Sequence, residues 1–468
     1  MKLKQLASNY ESLLESTVTV SGWVLSSRLQ KELTFIKLND GSNSMGVQLI
    51  VMNSVVDMGT SNIMTGTSLS ATGKLVRSPA KEQPFEIMVE QLQIIGMVNE
   101  SYPLSKGKLT LEYLRQFAHL RSRTSSFGSI FRIKSAISNA THKFFETKGF
   151  LHINPNIVTI NECEGGAGVF QLTEHDLSNH NTLPVVGKTT SHDWEKDHFG
   201  KPAYLTVSSQ LQLEALACSL GAVYTTNKSF RSEHSTTNKH LSEFEHLEIE
   251  DIFINVYDLM QTGEDYIKYV GNYLMENCMD DINNLGKFVS KGLLERINTI
   301  VGATFHRVKY NDAIEILKKA STLTKPVVYG DDLCSEFENY LTEHFNGPVF
   351  VSHWPLNIKS FYMKKSPPND DGSPSNLCEN FDLLMPYKVG ELIGGSVREE
   401  NHMNILDTMK SKGVTPEPLS FYLDLRKYGT VPHGGFGLGL DRMCMMFTGM
   451  ENIKDVVAFP VYFKNCDY

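Results

Sequence analysis

Over roughly the first hundred residues apolar and polar positions alternate, and beyond them the apolar spacing lengthens to three and four. Five runs read as short strands: TVTVSGWVL (17–25), ELTFIKL (32–38), MGVQLIV (45–51), SLSATGKLV (68–76) and PFEIMVEQLQII (84–95). Gly, Asn, Asp and Ser punctuate them, and no convincing helix flanks the set. After them, Ile130, Ile133, Ile137, Ala140 and Phe144 recur at spacings of 3, 4, 3 and 4, which predicts an amphipathic helix closed by Gly149. FLHINPNIVT then returns as a strand whose Pro155 suits an edge or an end. A long helix followed by an edge strand is a surface on which a second subunit can pair.

Five strands within about 80 residues predict a small closed barrel of the oligonucleotide-binding (OB) type. Phe35 and Gln48 stand on different strands of it. An exposed ring can stack a base and a glutamine can read a base edge, as such barrels do with single strands.

The rest of the chain mixes strands and helices and carries two chemically dense segments. In FRSEHSTTNKHLSEFEHLEIEDIF (230–253), two strands joined by a polar loop fix the faces by parity. Leu247 and Ile249 turn inward, while Phe244, His246, Glu248 and Glu250 share the other face, with Arg231 and Glu233 on one face of the first strand. A ring beside carboxylates, across from an arginine, forms a ligand platform: guanidinium for phosphate, ring for a base, carboxylates for ammonium or metal. In HGGFGLGLDR (433–442), Gly435, Gly437 and Gly439 repeat with the period of a strand, not of a dinucleotide loop. Glycine at every second position clears one strand face for a close approach.

Charge changes the picture only when divided along the chain. The net charge is −9. Residues 1–100 hold 8 Lys+Arg and 9 Asp+Glu, residues 101–150 hold 9 and 2, and the remainder 27 and 42. The basic excess therefore sits in one short segment, a local footprint for a polyanion on an acidic protein. The seven cysteines include no C-x-x-C pair, which excludes a zinc ribbon and points to free thiols in a reducing, cytoplasmic setting. His175, His180, His192 and His198 lie in a polar stretch without a familiar ligand spacing and read as a surface loop. No apolar run reaches membrane length, Glu11 and Glu15 argue against a transit peptide, and no membrane partner is expected.

FRSEHSTTNKHLSEF resembles the second signature motif of the class II aminoacyl-tRNA synthetases, and HGGFGLGLDR the third. The helix and strand ending at Pro155 resemble the first. With VSGWVLSSR, SSQLQLEA, IKSFYM, VGELIGGSVR and YLDLRKYGTVPHGGFG, the resemblance spans nearly the whole chain in family order and is close to the asparaginyl-tRNA synthetases. It implies an α+β protein: an OB-type anticodon-binding barrel (1–98), a basic linker (99–126) and a class II catalytic domain (127–468) with a mainly antiparallel sheet flanked by helices.

The same resemblance implies the site. ATP is held by Arg231, Ser232, Glu233, Lys239, His240, Leu241, Phe244, Glu391, Gly439, Leu440, Asp441 and Arg442, with Arg231 on the α-phosphate, Arg442 on the γ-phosphate and Phe244 on adenine. Glu391 and Asp382 hold Mg²⁺. Asparagine is bound by Glu164, Gln210, Glu248, Gly394 and Arg398, and Leu213 stands where aspartyl relatives carry a lysine for the substrate carboxylate. Arg28, Phe35, Gln48 and Glu86 read or stack on the anticodon of tRNA-Asn, and the first motif implies a homodimer. The family pattern is broken at Lys239, where arginine is usual, at Gln212, where tyrosine is common, and in FPVYF, which lacks the usual arginine. An aspartyl-tRNA synthetase, a synthetase-like asparagine synthetase and a non-catalytic RNA-binding paralogue are the alternatives. The barrel region and Leu213 oppose the asparagine synthetase, and the retained Arg231, Glu391 and Arg442 oppose the paralogue.

Overall fold

Alternation in the N-terminal runs becomes an inside and an outside: Val18, Val20, Ile36, Leu38, Leu49 and Val51 are buried together, and the residues between them face outward. In the computed structural model, which describes residues 1–54, 63–80, 83–105, 109–161, 168–179, 182–187 and 189–468, strands β1 (Thr17–Leu29), β2 (Leu33–Asn39), β3 (Val47–Met52), β4 (Ser68–Arg77) and β5 (Phe85–Gly96) close into a barrel. Its strand order is β1-β2-β3-β5-β4. Cys163, Glu164 and His180 lie outside the described residues. A helix, Leu3–Leu13, precedes the barrel where the sequence pattern suggested none. It has no side-chain N-cap; burial of Leu3 and Leu6 in the barrel core holds it, together with the bond from the Leu3 amide to Asp40 (2.9 Å). That is tertiary support, which local propensity does not report.

The basic stretch after the barrel is only in part a charged surface. It contains helices Leu111–Arg115 and Ala118–Arg121, and their arginines are occupied within the chain. Arg115 grips Asp455 through Nε and Nη2 (2.8 and 2.7 Å), while fully buried Arg121 donates to the carbonyls of Lys454, Val457 and Ala458. Arg132 pairs with Asp281 and Lys134 with Asp441. Much of the +7 excess therefore binds the C-terminal segment and neighbouring elements together.

The predicted helix runs Ser125–Thr147, with Thr124 capping it. Its apolar stripe is buried in the chain's own core, so it is not left free for a partner. Pro155 divides the following strand into β6 (Leu151–His152) and β7 (Val158–Thr159). Strand β8 (Gln171–Leu172) and β9 (Ala203–Leu205) complete a small three-stranded sheet with β7.

The main sheet has eight strands: β6, β10 (Val223–Phe230), β11 (Glu243–Ile252), β12 (His306–Lys309), β13 (Val349–Ser352), β14 (Asn380–Met385), β15 (Gly390–Val397) and β16 (His433–Gly439). Their order is β12-β13-β14-β15-β16-β11-β10-β6, with β6 at an edge. Only the outer pairs β12–β13 and β10–β6 are parallel, so the mainly antiparallel sheet is borne out. Leu247, Ile249, Ile393 and Leu438 pack one face against the helices Ser125–Thr147 and Val256–Asn277. The other face is free to carry polar groups. Among the described residues no helix is long and apolar enough to cross a membrane, and six cysteines are free thiols.

Candidate active site

The register of β11 and β16 explains the alternating glycines. Gly439, Gly437 and Gly435 pair directly with His246, Glu248 and Glu250, so the bare positions lie on the same sheet face as the large polar side chains. A methyl at Gly437 would come within 2.6 Å of His246 Nε2, and one at Gly435 within 2.5 Å of Glu250 Oε1. The glycines thus make room for the protein's own site residues as well as for a ligand. Across the next strands the row continues from Gly437 to Gly394 and Asp382. From Glu248 to Asp382 is three strand spacings, about 14 Å, of which the middle two positions have no side chain.

Two adjoining recesses open on this face. The first, about 310 Å³, is lined by Ser208, Gln210, Glu248, Glu250, Lys359, Tyr362, Asp382 and Arg398 among others. The second, about 220 Å³, is lined by Glu233, Lys239, His240, Leu241, Phe244, Gly439 and Arg442. Arg231, His246, Glu391, Gly394 and Gly437 line both, so Arg231 stands at the junction. A cation at that point faces whatever group passes from one recess to the other. The Arg231 guanidinium lies 5.5 Å over the Phe244 ring.

Most of the residues expected at the nucleotide come together here, and the side chains of three, Ser232, Leu440 and Asp441, are engaged within the fold. Ser232 turns away, donating to the Val169 carbonyl (3.3 Å) while its amide donates to Gly168. Leu440 is buried in the core, as the first residue of the helix Leu440–Thr448. Asp441 borders the second recess, but its carboxylate accepts from Lys134 Nζ (2.6 Å) and from the Glu245 amide (3.0 Å), tying the 125–147 helix to β11. Arg442 is half-buried and donates to the Glu391 carbonyl. Burial, then Arg442 nearby, lowers the pKa of His240, which favours the neutral ring.

On the amino-acid side, Gln210, Glu248, Gly394 and Arg398 line the first recess. Leu213 does not. It is fully buried with Ala217 and Val223 because the helix Gln210–Leu220 turns that position toward the sheet core. Glu248 is held by the Ser209 amide (2.9 Å) and the Ser208 hydroxyl.

Beneath the recess lies a buried charge network that the sequence pattern did not assign to the site. Arg398 donates to Glu250 through Nε (3.0 Å) and Nη2, and to Ser396 Oγ (2.7 Å). Glu214 accepts from Arg426 (2.8 Å) and Gln210 (3.0 Å) and contacts His433 Nε2 (3.0 Å). Two arginines face two glutamates, and the cluster is balanced without a ligand. Burial pushes the Glu250 carboxyl up to about 7 against the pull of Arg398. Among the described residues its buried Oε2 has no hydrogen-bond partner, leaving an acceptor at the recess.

Glu391 and Asp382 converge over Gly394: an added Cβ there would lie 3.3 Å from Glu391 Oε1 and 3.6 Å from Asp382 Oδ1. Desolvation raises the pKa of both carboxyls, opposed at Glu391 by Arg442 and at Asp382 by Lys359. Lys359, which IKSFYM contains but its pattern alone does not mark, sits 2.7 Å from Asp382 Oδ2. Burial disfavours its charge, yet Asp382 and Glu391 more than compensate and hold it protonated. The Glu391 carboxylate and Asp382 Oδ1 suit a divalent cation, and the Lys359 ammonium suits a phosphate oxygen beside it.

On the barrel, Arg28 pairs with Phe35, Phe35 with Ile50, and Ile50 with Met88, which places Arg28, Phe35, Gln48 and Glu86 on one outer face of β1, β2, β3 and β5. Phe35 is half-buried and lies outside the barrel core cluster. Glu86 is buried and accepts from Ser78 (3.1 Å) and Gln83 (3.2 Å). Lys37, directly opposite Gln48, joins the same face, and burial lowers its pKa. Its place was legible only once the register was fixed.

The fold and the twin recess define a class II tRNA synthetase: the sequence model of the family described as tRNA synthetases class II (D, K and N) matches residues 110–462, and that of the OB-fold nucleic acid binding domain matches residues 18–95. An asparagine–tRNA ligase of Protochlamydia amoebophila is 41% identical over 100% of this chain and 98% of its own length. The solved structures of the asparaginyl-tRNA synthetases of Pyrococcus horikoshii and Entamoeba histolytica, each complexed with asparaginyl-adenylate, superpose with TM-scores of 0.83 and 0.82 at 29% identity, covering 97% of this chain and of theirs. The chain belongs to the asparagine–tRNA ligase family.

Proposed function

We propose that this protein activates asparagine with ATP and transfers it to tRNA-Asn. The observation that carries the choice of amino acid is the buried Oε2 of Glu250, without a partner among the described residues, beside an Arg398 already paired with Glu250. An asparagine side chain brings both partners such a pair needs: its carbonyl accepts from Arg398 and its NH₂ donates to Glu250. An aspartate brings a second carboxylate against Glu250 and no donor, in a pocket whose positive charge is already spent. This replaces Leu213 as the source of discrimination.

In this reading the asparagine carboxylate, ionised at neutral pH, attacks the α-phosphorus, and pyrophosphate leaves. Arg231 at the junction of the recesses neutralises the α-phosphoryl oxygens as charge moves from nucleophile to leaving group. Phe244 stacks adenine, Arg442 and His240 hold the outer phosphates, and Gln210 and Glu248 orient the α-amino group. Glu391 and Asp382 Oδ1 would hold Mg²⁺, which supplies charge neutralisation on the phosphates. The terminal ribose 3′-hydroxyl of the tRNA then accepts the acyl group, and AMP leaves. No side chain is consumed as a nucleophile; catalysis consists of positioning and electrostatics.

The outer barrel face of Arg28, Phe35, Lys37, Gln48 and Glu86 is assigned to the anticodon. Phe35→Ala should raise KM for tRNA-Asn about tenfold, since a stacked base contributes about 1–3 kcal/mol. Tm and tRNA-independent activation should be unchanged. A lower Tm with an unaltered KM would return Phe35 to a packing role.

A homodimer built on residues 127–158 completes the reading. The 125–147 stripe is internal, but Leu151, Ile157, Val158 and Ile160 are exposed along the edge segment, a run of apolar side chains that a second copy would cover. Light scattering at micromolar concentration should give twice 52.6 kDa, and Val158→Asp should give the monomer. A wild-type mass of 52.6 kDa would overturn the dimer.

A further inference from the structure

The polar loop between β8 and β9, residues 173–202, gathers chemistry that the synthetase site does not use. One ring nitrogen each of His175 and His192 and one carboxylate oxygen of Asp197 lie within 4.8 Å of one another. His175 lies seventeen residues before His192, and His192 five before Asp197, a spacing that matches no familiar ligand motif. The two imidazoles meet edge to face, with ring centroids 5.4 Å apart, and Trp194 packs edge-on against His192 at 4.3 Å.

Each group is held in place by contacts within the loop. Asp197 is buried, and its Oδ1 accepts from the backbone amides of Glu174 (3.1 Å) and His198 (2.7 Å), leaving Oδ2 turned to His192 Nε2 at 3.2 Å. A hydrogen bond from the Thr173 side chain, together with these amides, holds the carboxyl below its usual range. His175 Nε2 donates to the Lys196 carbonyl (3.2 Å), the type of outer contact that fixes the tautomer of a metal-bound imidazole. His198 and Glu174 form a separate exposed pair at the rim (3.2 Å).

We propose that His175, His192 and Asp197 form a binding site for a transition-metal dication of the Zn²⁺ type, distinct from the catalytic carboxylates. With bonds of about 2.0–2.2 Å, neighbouring ligand atoms of a tetrahedral zinc are about 3.4 Å apart, close to the 3.2 Å between His192 and Asp197. His175 and a water complete the set after a side-chain-sized contraction from the 4.8 Å limit. Two imidazoles and one carboxylate favour Zn²⁺ or Co²⁺ over Mg²⁺, which prefers oxygen ligands alone. The site braces the loop from which β9 runs directly into Ser208 and Gln210 of the amino-acid recess. Its effect would be to order that approach, not to take part in the reaction.

The full-length protein, stripped with a chelator, is titrated with Co²⁺ in the presence of millimolar Mg²⁺, and the visible bands of tetrahedral Co²⁺ are followed. One Co²⁺ per chain is expected, displaced by Zn²⁺. His192→Ala, His192→Gln and His175→Ala should each weaken binding at least about tenfold, since even loss of an outer-sphere partner costs that much. Glu391→Gln should leave the Co²⁺ spectrum unchanged. Circular dichroism of each variant separates lost ligation from lost folding, and the isosteric His192→Gln serves if alanine unfolds the loop. Absence of tetrahedral bands in the wild type, or equal Co²⁺ binding by a folded double variant of His175 and His192, would overturn the site.

Discussion

Arg442→Ala is expected to lower asparagine-dependent ATP–pyrophosphate exchange by roughly 10²- to 10³-fold, the cost of removing one preorganised charged donor from a developing phosphate charge. The side chain leaves the first turn of the helix Leu440–Thr448, where the helix dipole adds to its positive field. It is half-buried and donates to the Glu391 carbonyl at the rim of the recess, so its loss removes little packing. The Tm of the variant should therefore stay within a few degrees of the parent. Arg442→Lys should recover part of the activity, because a point charge remains while the fork is lost. Exchange near the parent rate would remove Arg442 from the nucleotide site.

Glu250→Gln is expected to shift the ratio of kcat/KM for aspartate over asparagine upward by roughly 10- to 100-fold, the range in which like-charge contacts separate partners. The amide keeps the shape of the carboxylate and a bond to Arg398, but it frees the guanidinium's charge and offers a donor to a substrate carboxylate. The same shift should occur in the parent enzyme as the pH falls. With its carboxyl raised to about 7, Glu250 is ionised above that pH and progressively neutral below it, so aspartate discrimination weakens from about pH 8 to about pH 6. The Glu250→Gln variant should show no such dependence. A ratio unchanged by both substitution and pH would move the discrimination elsewhere.

The barrel and the platform strands were legible because their period is two. One face buries Leu247 and Ile249, and parity then delivers Phe244, His246, Glu248 and Glu250 to the other without further information. The N-terminal helix was not legible, since Leu3 and Leu6 are a helical pair only in the presence of the barrel that receives them. Charge counting does not reveal partners, so part of the basic cluster is not open to a polyanion: Arg115 and Arg121 answer Asp455 and a set of carbonyls more than 330 residues away along the chain. Lys359 pairs with Asp382 on another segment, and the Glu214–Arg426–His433 cluster joins three, so no local spacing marks them. Consecutive residues at a helix start point in different directions, so beside Arg442 the Asp441 carboxylate, at the border of the same recess, faces Lys134.

The most direct test is aminoacylation of a tRNA-Asn transcript by the purified protein with labelled asparagine and, separately, labelled aspartate, beside ATP–pyrophosphate exchange without tRNA. The account predicts acid-precipitable, alkali-labile asparaginyl-tRNA formed in ATP-dependent fashion, asparagine-dependent exchange in the absence of tRNA, and aspartate charged at least about a hundredfold less efficiently. Equal or preferred charging of aspartate, or no charging of tRNA-Asn by a protein that still exchanges pyrophosphate, would contradict it.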